Sequence, residues 1–140
     1  MNDRKIYFAA SVRGGRKNAD IYREIIEYLK KYGTVFTECI GNKDVLIHEA
    51  EQPAEKIYAQ CLGWLMQSDV IVAEVSTPSL GVGVEIDRAV VNNKNVLCLY
   101  RNGSVKKLST MVSGCKKLYI AYYDDIEGAK AAIDFFLKLI

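Results

Sequence analysis

The stretch DVIVAEVSTPSLGVGVE, residues Asp69 to Glu85, changes character twice. Its first part, Asp69 to Val75, is an almost unbroken β-branched and apolar run. That is the signature of a strand covered on both faces rather than one with a wet side. Serine, threonine and proline then break the run, and a helix is expected to follow, with Glu85 falling in its first turn. Working outward, similar runs recur at Lys5 to Ala10, Thr34 to Thr37, Asn95 to Tyr100 and Lys117 to Tyr122, which predicts five strands. Between them apolar residues return at helical spacing: Ile21, Ile25, Ile26 and Leu29; Ile57, Cys61, Leu62 and Leu65; Ala129, Ile133, Phe136 and Leu137. Strand alternating with helix implies right-handed crossovers and a parallel α/β sheet with helices on both faces.

The chain is expected to form one domain over residues 1–140, long enough to bury a core without metal or disulfide. Nineteen basic and seventeen acidic residues leave a net charge of only +2, so the footprint of a nucleic-acid binder is missing. Cys39, Cys61, Cys98 and Cys115 are widely spaced, form no CxxC pair and read as reduced thiols. One histidine, His48, cannot build a multi-histidine metal site and reads as a surface residue. No run is long enough to cross a bilayer and no secretory leader opens the sequence, so no membrane partner is expected and the cytoplasm or nucleus is the expected location. The polar connection Gly41 to Pro53 reads either as a loop closing over a site or as a short helix start.

In an open parallel sheet, ligands bind beyond the carboxyl ends of the strands, where neighbouring crossovers diverge. Two strands here end in loops suited to that place: the first in Ser11-Val12-Arg13-Gly14-Gly15-Arg16, the third in Ser76 to Glu85. Backbone N–H groups at a glycine-containing helix start, with hydroxyls and an arginine fork, suit a phosphate. Ser11, Arg13, Ser79 and Gly81 are therefore a candidate cradle. Equally, the glycines could simply make turns and Arg13 be a solvated charge. No GK[ST] follows and GVGVE does not complete GxGxxG, so triphosphate and dinucleotide sites are disfavoured. Glu85 at a helix start could be ordinary dipole electrostatics. At the mouth of the same crevice, its carboxylate could instead attack an electrophilic sugar carbon. Tyr7, on the first strand, could direct its phenol to that carboxylate or serve as a core aromatic.

The segments KIYFAASVRGGR, GWLMQSDVIVAEVSTPSLGVGVEIDRAV and VLCLYRNGSVKKLSTM resemble the 2′-deoxynucleoside 5′-phosphate N-hydrolase (Rcl-like) family, grouped with the nucleoside 2-deoxyribosyltransferases. The resemblance covers nearly the whole chain. It implies a flavodoxin/Rossmann-like three-layer sandwich with strand order 2-1-3-4-5, a homodimer, no cofactor, and hydrolysis of a deoxynucleoside monophosphate to free base and 2-deoxyribose 5-phosphate. It further implies that Tyr7 orients the catalytic carboxylate and that Glu85 forms the covalent glycosyl intermediate. By the same resemblance Ser11, Arg13, Gly14, Ser79 and Gly81 stand at phosphate-loop positions. Ser109 matches a serine given to the neighbouring subunit's phosphate site, and Met111 lies in the same segment; read alone, LSTM is a polar helix start.

The chain departs from the family pattern twice. Cys61 stands where the family has an aspartate that protonates or orients the leaving base, and a thiol, with a reference pKa of about 8.5, is a poorer proton donor. Cys39 stands where family members often carry a histidine near the base, so base recognition is expected to differ from the family's purine-leaning preference. Glu38, Glu49, Glu51 or Glu55 could replace the missing acid; full activity after changing all four to glutamine would exclude this. Two other functions remain open at the sequence level: transfer of the deoxyribosyl group to a second base, and nucleotide binding without efficient chemistry. The phosphate cradle argues against the first, and retention of both Tyr7 and Glu85 against the second.

Overall fold

A computed structural model of the chain describes residues 3–11, 18–36 and 52–140. Five strands, β1 (Arg4–Ala10), β2 (Gly33–Phe36), β3 (Val70–Glu74), β4 (Asn95–Arg101) and β5 (Tyr119–Tyr123), form one sheet in the order β2-β1-β3-β4-β5. All four pairings are parallel, so the expected strand order holds. The helices are α1 (Ala19–Leu29), α2 (Ala54–Gln67), α3 (Leu80–Val91), a short α4 (Thr110–Ser113) and α5 (Ile126–Leu139).

Alternation along each strand sends side chains to two separate cores. Ile6, Phe8, Val70, Val72, Leu97 and Leu99 pack on one face with Tyr22, Ile25 and Leu29 of α1 and Ile133 and Phe136 of α5. Tyr7, Ala9, Ile71, Ala73 and Cys98 pack on the other with Leu65 of α2 and Val82, Ile86 and Ala89 of α3. Double coverage is why β3 shows no alternation in hydrophobicity. Gly33 opens β2 at φ 153°, where a Cβ would stand 1.9 Å from the carbonyl oxygen of Arg4, so only glycine lets these two strands pair this closely.

Strand ends in β1 to β4 differ from the sequence reading by one residue, and two other boundaries differ with a visible cause. β5 begins at Tyr119 rather than Lys117, because the N–H of Leu118 closes a turn on the carbonyl of Cys115. More consequentially, α3 starts at Leu80. Ser79 caps it, accepting the N–H of Val82 at 3.3 Å, so Gly81 to Val84 are already helical and no acidic residue lies in the first turn. Glu85 therefore sits in the second turn, where the helix dipole has largely faded.

Candidate active site

β1 and β3 are neighbours, and their crossovers leave to opposite faces: α1 on one side, α2 and α3 on the other. The crevice beyond their carboxyl ends is the switch point of the sheet. Tyr7, fully buried on β1, donates its phenol hydrogen to Oε2 of Glu85, half-buried on α3. Burial first, then the negative charge of Glu85 and the nearby Cys61, push the Tyr7 pKa far above its ordinary value. The phenol thus stays protonated and serves as a fixed donor to the carboxylate. Cys61, half-buried on α2, lies within hydrogen-bonding reach of the same phenol. One turn along α2, Trp64 stacks on Phe36 at a 5.8 Å centroid separation and 13° between planes, both packed against the core on this face of the sheet.

The cradle residues divide. Ser11, at the end of β1, is fully buried, and its Oγ finds no hydrogen-bond partner among the described residues. Ser79 uses an oxygen lone pair for the α3 cap, which leaves its O–H able to donate outward. Gly81 is exposed in the first turn, where helix N–H groups lack intrahelical partners. A Cβ at Gly81 would meet nothing closer than the Ser79 Oγ at 3.8 Å, and at Gly83 nothing within 4 Å. The fold itself does not require either glycine. Arg13, Gly14 and Cys39 lie outside the described residues, as do Glu38, His48, Glu49 and Glu51. Glu55 is exposed in the first turn of α2.

Ser109 and Met111 stand elsewhere, on the connection between β4 and β5. Ser109 caps α4 by accepting the N–H of Met111 at 3.2 Å, the polar helix start that LSTM predicts, and Met111 is 85% exposed. A cavity of about 430 Å³ opens on the α1 side of the β3–α3 loop, lined by Asn18, Ser76, Thr77, Arg101, Ser104 and Lys106 among others. Neither Tyr7 nor Glu85 lines it. The chemistry is marked by the carboxylate–phenol pair and not by this cavity, because a hollow without a reactive group breaks no bond. Among the described residues, no three His, Cys, Asp or Glu side chains gather as metal ligands.

A model of the nucleoside 2-deoxyribosyltransferase family matches residues 6–131. The chain belongs to this family. It is 41% identical to a Nematostella vectensis protein named as a 2′-deoxynucleoside 5′-phosphate N-hydrolase, over 97% of this chain and 96% of that one. It is 46% identical to the 5-hydroxymethyl-dUMP N-hydrolase of Danio rerio, over 78% of this chain and 77% of the relative. The fold is shared with Clostridium botulinum CMP N-glycosidase, at a TM-score of 0.68 and 16% identity, over 94% of this chain and 99% of that one.

The sequence reading missed a buried polar cluster behind the β3–α3 loop: Glu74, Ser76 and Tyr123, with the backbone of Arg101. One signal was available. Glu74 shares strand parity with Val70 and Val72, so a charged residue was pointing into a core face.

Proposed function

We propose that this protein hydrolyses the N-glycosidic bond of 2′-deoxynucleoside 5′-monophosphates. The observation that carries the reading is the Tyr7–Glu85 hydrogen bond at the switch-point crevice, next to the helix start holding Ser79 and Gly81. A carboxylate oxygen of Glu85 attacks C1′ as the C1′–N bond breaks, and the bond's electron pair leaves with the base, which gains a proton. Water then attacks C1′ as the bond from C1′ to Glu85 breaks, and gives up to solvent the proton that balances the one the base took; this releases 2-deoxyribose 5-phosphate and returns Glu85 to its carboxylate form. The phenol of Tyr7 holds one oxygen of Glu85 and so fixes the direction of attack. Ser11, Ser79 and Gly81, with Arg13 and Gly14, hold the 5′-phosphate; Cys61 and Cys39 border the base. The names of the relatives support hydrolysis over transfer. A uracil-type base leaves as an anion delocalised over two carbonyls and asks less of a proton donor than a purine, which suits a site with Cys61 in place of a carboxyl.

The test is base release, followed by chromatography, from the four common deoxynucleoside monophosphates and 5-hydroxymethyl-dUMP, their ribo counterparts and the unphosphorylated deoxynucleosides. Release confined to 5′-monophosphates, with uracil-type bases ahead, is the expected result; release from none rejects the reading. A second free base added to the same reaction distinguishes transfer, which would yield a new nucleotide.

Gly81→Ala probes the phosphate site. Alanine in a helix gains about 0.5–1 kcal/mol over glycine, and the added Cβ meets no tight contact in the protein, so Tm is expected to rise. The same methyl crowds a phosphate on the helix start, and KM is expected to rise about tenfold, equivalent to about 1.4 kcal/mol. An unchanged KM places the phosphate elsewhere.

The protein is further proposed to act as a cytoplasmic homodimer. Leu80, Val84 and Val91 fall on one stripe of α3 and are 93%, 48% and 63% exposed, and Met111 is also bare. Sedimentation at micromolar concentration is expected to give twice the chain mass, and Val84→Glu to give the single chain.

A further inference from the structure

Glu74 has no part in the chemistry above, yet it is 1% exposed at the carboxyl end of β3, on the face opposite Tyr7 and Ala9. Burying a carboxylate is costly unless donors surround it. Here three do. Oε1 accepts the N–H of Ser76 at 2.8 Å, and Oε2 accepts the Ser76 hydroxyl at 2.8 Å and the phenol of Tyr123. The Ser76 oxygen in turn accepts the N–H of Arg101 at 2.7 Å, and the Ser104 hydroxyl donates to the carbonyl of Arg101 at 2.6 Å. Burial raises the Glu74 pKa, while Tyr123, Ser76 and the charge of Arg101 pull it back.

The cluster ties the ends of β3, β4 and β5 together where the chain leaves the sheet. Ser76 is gripped by both its amide and its hydroxyl, so the path from Glu74 to the Ser79 cap is held at its root, two residues beyond the strand. An apolar residue would fill the same space without that grip. Fully satisfied polar clusters of this kind rigidify their surroundings and specify a single geometry.

We propose that Glu74 is a positioning residue that, through Ser76, fixes the β3–α3 loop and thereby aims the first-turn N–H groups of α3 at the substrate's 5′-phosphate. This rests on the monophosphate hydrolase reading and deepens it. Glu74 touches neither substrate nor the reacting atoms.

The experiment compares wild type with Glu74→Gln, in which an amide NH2 replaces one acceptor oxygen among three donors. Wild-type release of base from a deoxynucleoside monophosphate is measured first; its absence defeats the hydrolase reading and this proposal with it. In the variant, KM for the monophosphate and Ki for inorganic phosphate as competitive inhibitor are both expected to rise about tenfold. Meanwhile kcat stays within about threefold, and Ki for the unphosphorylated deoxynucleoside does not move. A general loosening of the structure would also raise Ki for the unphosphorylated deoxynucleoside and lower kcat by more than about threefold, and would overturn the proposal, as would no change in any of these constants. If Glu74→Gln fails to fold, Ser76→Ala, which keeps the carboxylate with the Ser76 amide and Tyr123, takes its place. The same phosphate-selective rise is then expected, and its absence overturns the proposal.

Discussion

Glu85→Ala is expected to release base from deoxynucleoside monophosphates at least about a hundredfold more slowly than the wild-type protein, the least that losing the covalent nucleophile should cost. Binding of the monophosphate is expected to persist, because the proposed mechanism assigns the phosphate to the α3 helix start and the end of β1 and not to this carboxylate. The variant also takes the carboxylate acceptor from the buried phenol of Tyr7 and leaves it only the weak sulfur acceptor of Cys61; a poorly satisfied buried donor costs up to about 1–3 kcal/mol, so a lower Tm would confuse the outcome. Glu85→Gln removes the confusion. Its amide oxygen can still accept from Tyr7, but the neutral group cannot attack C1′. Both variants should therefore lose turnover to a similar degree, while the glutamine variant keeps more of its stability. Turnover within about tenfold of wild type in Glu85→Gln would mean that Glu85 is not the nucleophile.

The fold was legible because its evidence was local. Asp69 to Val75 shows double coverage in seven consecutive residues, and the apolar spacings on α1, α2 and α5 each show one buried stripe. The site was legible only in part. Tyr7 and Glu85 stand 78 positions apart, and no periodicity in either segment says that β1 and β3 are neighbours. That adjacency followed from the family's strand order. The start of α3 was misplaced because Gly81 and Gly83 look like loop residues, whereas the Ser79 cap makes them the first helical turn. Glu74 was passed over because an acid near the end of a strand usually reaches water. Here the exit is covered by Ser76 and Tyr123, and only the pairing of β3 with β4, and of β4 with β5, brings them together.

Cys61→Asp is expected to raise kcat/KM on purine deoxynucleoside monophosphates by about tenfold or more, and to do much less for pyrimidines. Cys61 lies against the Tyr7 phenol, whose other partner is Glu85, so an aspartate there would share a half-buried corner with a second carboxylate. Two carboxylates this close do not both ionise readily, and one is pushed above the ordinary carboxyl range. Glu85 holds a hydrogen bond that favours its charged form, so the new group takes the proton. The result is a neutral carboxyl beside the base, a stronger acid than the thiol it replaces and better matched to neutral pH. Purine departure depends more heavily on such a proton, which is why the gain should be base-selective. The pH profile separates this account from simple repacking. A working acid adds an alkaline limb to kcat, falling as pH rises through the pKa of the aspartyl carboxyl, and the wild-type profile is expected to lack that limb. An equal gain on all bases, or a gain without the alkaline limb, would show that the residue at position 61 acts through the orientation of Tyr7 and not through a proton.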